Sequence, residues 1–151
     1  MSPHAIASEL ETTASQTANQ SAQRYLVPLG RLFLSLMFIM AGFTHLSPQA
    51  VGYAAAAGVP LASIVVPASG IMAFVGGLSV TLGYKAKWGA WLIVLFLLPV
   101  TFTMHRFWAE SDPMMAQVHM GMFLKNFGLM GGALLITQLG SGPLSLDARK
   151  R

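Results

Sequence analysis

The chain has 151 residues, of which 54% are hydrophobic and only 9% charged, and its mean hydropathy is +0.61. Soluble domains carry about 25% charged residues, so this composition describes one integral membrane domain and excludes disordered, collagenous and ordinary soluble classes. The net charge of +4 does not point to nucleic acid, because the Lys and Arg are placed as topology signals; the absence of cysteine excludes disulfides, thiol redox chemistry, iron–sulfur clusters and covalent haem attachment.

Residues 1–23 are rich in Ser, Thr, Gln and Ala, with Glu9 and Glu11 and no Lys or Arg. They read as a flexible polar N-terminal tail carrying at most a short frayed helix. They do not resemble a secretory signal, which needs a positive start and an apolar stretch. From Leu32 to Tyr84 there is no Asp, Glu, Lys or Arg, and Ser47-Pro48, Gly52, Gly58 and Pro60 interrupt the stretch near its middle. This reads as two membrane spans, 25–46 and 61–82. A third span is expected at 88–104 and a fourth at 118–139, each near the ~20 apolar residues that cross a bilayer. The expected fold is therefore all-α, a polytopic bundle of four transmembrane helices over residues 24–139, followed by a basic C-terminal tail at 140–151. Helices are the natural solution, since lipid cannot satisfy the backbone and four strands cannot close a barrel.

Lys and Arg in short flanking segments stay cytoplasmic. Arg24, Arg31, Lys85, Lys87, Arg149, Lys150 and Arg151 all fall on one side of the four-span arrangement, leaving only Arg106 and Lys125 on the other. The expectation is a multi-pass protein of the inner (cytoplasmic) membrane with both termini in the cytoplasm. Trp88, Trp91 and Trp108 fall near interfaces, as an aromatic belt requires.

At 100° per residue, small and polar side chains mark contact faces. Arg31, Ser35, Gly42 and His45 share one face of the first span; Gly70, Ala73 and Gly77 form a stripe on the second, where Pro67 is expected to kink the helix. Thr101 and His105 share a face of the third, kinked at Pro99. On the fourth, Gly121, Lys125, Gly128 and Gly132 align, and Gly128 and Gly132 form a GxxxG pair that admits another helix closely. Lys125 is thereby expected to point into the bundle. Arg31 reads either as a cytoplasmic anchor or as a buried donor between helices.

His45, His105, Arg106, His119, Lys125 and Asn126 all lie toward the non-cytoplasmic leaflet, opposed only by Glu110 and Asp112 in the adjoining loop. Unpaired cations are expensive there. His45, His105, Arg106, Trp108, Lys125 and Asn126 are therefore the ligand-binding candidates, against the alternatives that the cations snorkel to water and the histidines are structural. No helical i, i+4 pair of histidines is present, and no metal is expected.

The segments Gly30-Arg31-Leu32-Phe33, Ala41-Gly42-Phe43-Thr44-His45-Leu46, Gly76-Gly77-Leu78, Thr103-Met104-His105-Arg106-Phe107-Trp108 and Phe123-Leu124-Lys125-Asn126 through Gly131-Gly132 resemble the DoxX family of small four-helix membrane proteins. The resemblance covers residues 24–139. It implies Arg31, His105, Trp108, Lys125 and Asn126 as motif positions and a link to quinone-dependent redox complexes. One departure stands out: Ala73 occupies a position where many members carry Glu, which tells against any mechanism using an intramembrane carboxylate.

Three functions follow as expectations. The first is a noncatalytic subunit that anchors or assembles partner proteins. The second is a redox-accessory subunit in which Lys125, His105 and His45 hold a quinone, or an oxidised sulfur anion, near the outer leaflet. The third is a small-molecule transporter acting as an oligomer. Catalysis by the chain alone is not expected. The expected partners are the lipid bilayer, a membrane or peripheral redox protein and a second copy of the chain, with no nucleic acid.

Overall fold

The computed structural model describes residues 3–150. Met1, Ser2 and Arg151 lie outside the described residues, as do the side chains of residues 3, 5–11, 17–23 and 150, which take in Glu9, Glu11 and most of the expected N-terminal tail. Five α-helices follow in order: α1 (Pro3–Thr44), α2 (Pro48–Ala56), α3 (Ala62–Leu82), α4 (Ala86–Met104) and α5 (Pro113–Leu139), with a 3-10 turn at Phe107–Ala109 and another at Ala148–Lys150. Among the described residues, four segments are long and apolar enough to cross a membrane: Arg24–Thr44, Ala62–Leu82, Ala86–Ala109 and Pro113–Leu139. The protein is a multi-pass, all-α membrane protein.

Local chemistry sets the helix ends. Asp112 caps α5 by accepting from the amides of Met114 at 2.7 Å and Met115 at 3.2 Å, and Pro113 fills the first position, where no amide is needed. At the end of α3, Gly83 turns left-handed (φ 63°) while the Tyr84 amide reaches back to the Ser79 carbonyl at 3.0 Å. A Cβ at this glycine would collide with Ser145 and with Arg31 Nη1, so the residue is fixed by crowding as well as by its φ.

The sequence around α2 reads as an interruption between two spans. Ser47 instead caps α2, accepting from the Ala50 amide at 3.2 Å, with Pro48 opening its first turn. Ala54 of α2, Ala62 and Val66 of α3 form a small core with Val51 and Met104 packed against it, so α2 closes one end of the bundle. In the sequence, Ser-Pro fits a chain break and a helix start equally well.

The spans pack α1 on α3, α3 on α4 and α4 on α5, whereas α1 and α5 touch only lightly. Phe38, Ala73, Val80, Ala90, Ile93, Leu97 and Ala133 form the buried centre, with Phe38 edge-on to Phe96 at 6.1 Å. Where α1 crosses α3, a Cβ on Gly42 would lie 3.2 Å from the Gly70 carbonyl, and one on Gly70 would lie 3.2 Å from the Gly42 carbonyl. Each helix thus uses its glycine to admit the backbone of the other.

Residues 140–150 fold back over the end of the bundle formed by the middle of α1 and the α3–α4 turn. Leu146 donates to the Leu82 carbonyl at 3.2 Å and Asp147 to the Gly83 carbonyl at 2.9 Å. In return, the Asp147 carboxylate accepts from the amides of Lys85 at 2.9 Å and Ala86 at 3.3 Å, capping α4 from the far end of the chain. This C-terminal segment is a strap, and it defines the strap end of the bundle; α2 and the Phe107–Ala109 turn define the other.

Candidate functional site

Polar side chains gather at both ends and along one interior line. At the strap end, Arg31 is 4% exposed and donates through Nη1 to the Ser141 carbonyl and through Nη2 to the Leu144 carbonyl at 3.0 Å. It is a buried donor, and its acceptors are strap carbonyls rather than a neighbouring helix. Its Nε has no partner among the described residues. Asp147 lies within electrostatic reach of the guanidinium. One turn along α1, the Ser35 hydroxyl is 2.6 Å from that of Thr81 on α3.

Deeper in the bundle, Asn126 of α5 is 4% exposed and donates to the Thr101 hydroxyl of α4 at 3.1 Å; that hydroxyl donates in turn to the Leu97 carbonyl at 2.6 Å. This chain ties α5 to α4. His45 ends α1 half-buried, its Nδ1 2.8 Å from the Ala41 carbonyl and its ring 5.4 Å from that of Phe96. It sits against Gly70 rather than beside the other histidines.

The α2 end brings His105 and His119 together, with Nδ1 atoms 3.5 Å apart. Arg106 is exposed and donates to the Ala57 carbonyl after α2 at 3.1 Å. Arg106, Glu110, His119 and Tyr53 line a cleft of about 290 Å³ here. Trp108 belongs to an aromatic cluster, 5.7 Å from Phe123, which also meets Phe102 at 5.5 Å and Phe127 at 5.0 Å. Among the described residues, no group of three His, Cys, Asp or Glu is disposed to hold a metal ion.

The face of α5 differs from the sequence reading. Lys125 is exposed, and a Cβ at Gly121 or Gly128 would meet nothing within 4 Å; Gly132 alone of the glycine stripe approaches another span, at Leu34 of α1. The buried seam is Asn126, Met130, Ala133 and Thr137, about 140° round the helix. The physical reason is the cost of the groups. A Lys at this depth reaches water along its own stem, whereas an amide cannot and must find a partner inside. Thr101 and Asn126 were therefore a better guide than the glycines.

Sequence reasoning also missed the strap and the aromatic cluster. Gly140, Gly142 and Pro143, followed by Ser145 and Asp147, are turn and capping residues that could have marked the strap. Phe123 and Phe127 at helical i, i+4 spacing are the signal for the aromatic cluster.

The SURF4 family model matches residues 7–151, which is nearly all of the chain. The chain belongs to the SURF4 family. This assignment corrects the DoxX resemblance. The segments that carried the resemblance are ones any bundle of four short spans needs: Gly42 and Gly77 admit neighbouring backbone, Arg31 and Asn126 satisfy buried polar groups, and Trp108 packs in an aromatic cluster. Such residues follow from helix packing in lipid and do not separate one family from another. Similar SURF4-family relatives include the inner membrane protein YqjF of Escherichia coli (strain K12), 31% identical over 123 residues that make up 80% of this chain and 88% of that protein. The ER-derived vesicles protein ERV29 of Saccharomyces cerevisiae is 26% identical over 133 residues, 88% of this chain. The match spans only 36% of the yeast protein's length. No solved structure matches the chain. The redox reading drew its link to quinone complexes from the resemblance now replaced, and nothing in the family assignment restores it.

Proposed function

We propose that this SURF4-family protein is a noncatalytic membrane subunit that assembles with a partner membrane protein through the open face of α5. The observation that carries this reading is the one-sided packing of α5: Asn126, Met130, Ala133 and Thr137 are buried in the bundle, while Gly121, Gly128 and Gly131 have nothing within 4 Å of where a Cβ would stand. In lipid, helices associate by close van der Waals approach at small residues, since lipid tails are as apolar as a Leu side chain. The interior polar groups serve the fold itself, with Arg31 holding the strap and Asn126 holding Thr101. The likeness to an inner membrane protein supports a cytoplasmic membrane as the site of action. The charge bias supports cytoplasmic termini, with α1 and the strap meeting at one end.

The test is isolation of the protein from its native membrane in mild detergents, followed by identification of intact complexes. A stoichiometric membrane protein partner is expected, and Gly128→Leu should release it while leaving the bundle's unfolding temperature unchanged. Recovery of only monomer and lipid in several mild detergents overturns the reading. Recovery of only a second copy of this chain replaces the partner by self-association.

A further inference from the structure

The strap end holds a second cleft, of about 640 Å³, that the proposal above does not use. Lys85, Lys87 and Trp88 line it on one side, and Leu139 with the glycine turn at 140–142 on the other. The ammonium groups come from exposed side chains on the α3–α4 connection and the first turn of α4. The Lys87 stem runs along the turn, its Cε 3.5 Å from where a Cβ on Gly140 would stand. The Lys85 ammonium lies 5.8 Å from the Tyr84 ring centroid.

The cleft also contains one acid, Asp147, whose carboxylate is already engaged by the amides of Lys85 and Ala86. Lys85 and Lys87 thus bring two cations to the cleft beside a carboxylate that caps α4. The apolar walls are Trp88, 74% exposed, and Leu139, 80% exposed. These residues lie at the ends of two membrane-spanning segments, Ala86–Ala109 and Pro113–Leu139. Cations and an indole at the end of an apolar span sit at headgroup level, so the cleft opens both to water and to the first methylenes of the lipid.

The geometry points to a binding site for a phosphate-bearing anion in this cleft, with an anionic phospholipid headgroup as the form that would use both walls. Lys85 and Lys87 donate to the non-bridging phosphate oxygens, and Trp88 and Leu139 cover the glycerol and upper acyl chain. A zwitterionic headgroup carries its own cation and gains less from two lysines. Inorganic phosphate shares the polar half of the interaction and lacks the apolar half.

Native mass spectrometry of the protein in a neutral detergent tests this, with phosphatidylglycerol, phosphatidylcholine and inorganic phosphate as separate probes. Phosphatidylglycerol is expected to bind about tenfold more tightly than phosphatidylcholine, the effect of one charge-assisted contact. The double variant Lys85→Asn with Lys87→Gln should abolish that preference; Asn is chosen because residue 85 is left-handed at φ 48°, a conformation Asn tolerates. The variant Lys85→Arg with Lys87→Arg keeps the charges and should keep the preference. Selective binding of phosphatidylglycerol that follows the charges supports a lipid ligand. Charge-dependent binding of inorganic phosphate without selectivity for phosphatidylglycerol supports the same site with a soluble phosphate as its source. Equal retention of the two lipids together with no phosphate binding overturns the proposal, as does a preference that survives the neutral variant or is lost in the arginine variant.

Discussion

Arg31 in the first span and Leu144 in the last segment are joined by a hydrogen bond of 3.0 Å, so a cation buried near one end of the sequence is satisfied by carbonyls near the other. The second Nη donates to Ser141, and the strap is thereby held against α1.

Replacing Arg31 by Ala should destabilise the bundle by about 3 kcal/mol or more, because two hydrogen bonds to a charged group disappear and the strap carbonyls lose their donor. Thermal unfolding in detergent measures this. Arg31→Lys should recover part of the loss at most, since a single ammonium cannot reproduce the fork that reaches Ser141 and Leu144 together. Full stability in Arg31→Ala would mean that the strap is held by Asp147 and its backbone bonds alone.

Asp147→Ala removes the acceptor for the amides of Lys85 and Ala86, a cap contribution of about 1 kcal/mol. The same strap is fixed by Arg31, so the combination Arg31→Ala with Asp147→Ala should cost less than the two single changes added together. A double-mutant cycle on unfolding free energies reads the coupling, and strict additivity would show that the two contacts act independently.

Asn126→Ala should cost about 1–2 kcal/mol, the worth of a side-chain hydrogen bond between helices in lipid. Thr101→Ala should cost more, because it leaves the buried Asn126 amide without this acceptor, whereas the Thr101 hydroxyl keeps the Leu97 carbonyl when Asn126 is removed. Unfolding by a denaturing detergent gives both values. A smaller loss in Thr101→Ala would show that the Asn126 amide does not depend on Thr101 for its partner.

The glycines separate into two classes. Gly42→Leu forces a side chain into the crossing with α3 and should cost about 1–3 kcal/mol as overpacking. Gly128→Leu meets open space and should leave unfolding within about 0.5 kcal/mol of the parent. Equal losses at both positions would show that α5 turns its glycine face inward after all.

The sequence reveals the four spans because length and hydropathy are local properties that a bilayer imposes directly: the expected spans at 61–82 and 88–104 differ from α3 and α4 by a few residues at most. Rotation about a helix axis is another matter. On α5, Gly121, Lys125 and Gly128 have the spacing of a contact face, yet helical periodicity records only that residues share a side, and lipid accepts small residues as readily as a neighbouring helix does. Asn126 decided the rotation through a partner 25 residues away, which no local pattern contains. The strap was illegible for the same reason in stronger form. Its stability depends on Arg31 and on the end of α3, and a count of charges at the C-terminus shows only a basic tail. At the α2 end, sequence placed His105 and His119 in the same leaflet, and the loop geometry brings them within 3.5 Å; His45 lay at the same expected depth but is turned to Phe96.

The 110 residues that separate Arg31 from Ser141 impose an order on biogenesis. A ribosome adding about 5–20 residues per second needs roughly 5–20 s to make that stretch. During this interval the guanidinium lacks the acceptors that it has in the finished protein. A chain ending before Ser141 and Leu144 would lack both carbonyls that accept from this guanidinium. Quality control that senses an unsatisfied cation in the bilayer could therefore distinguish truncated chains from complete ones without inspecting the C-terminus itself.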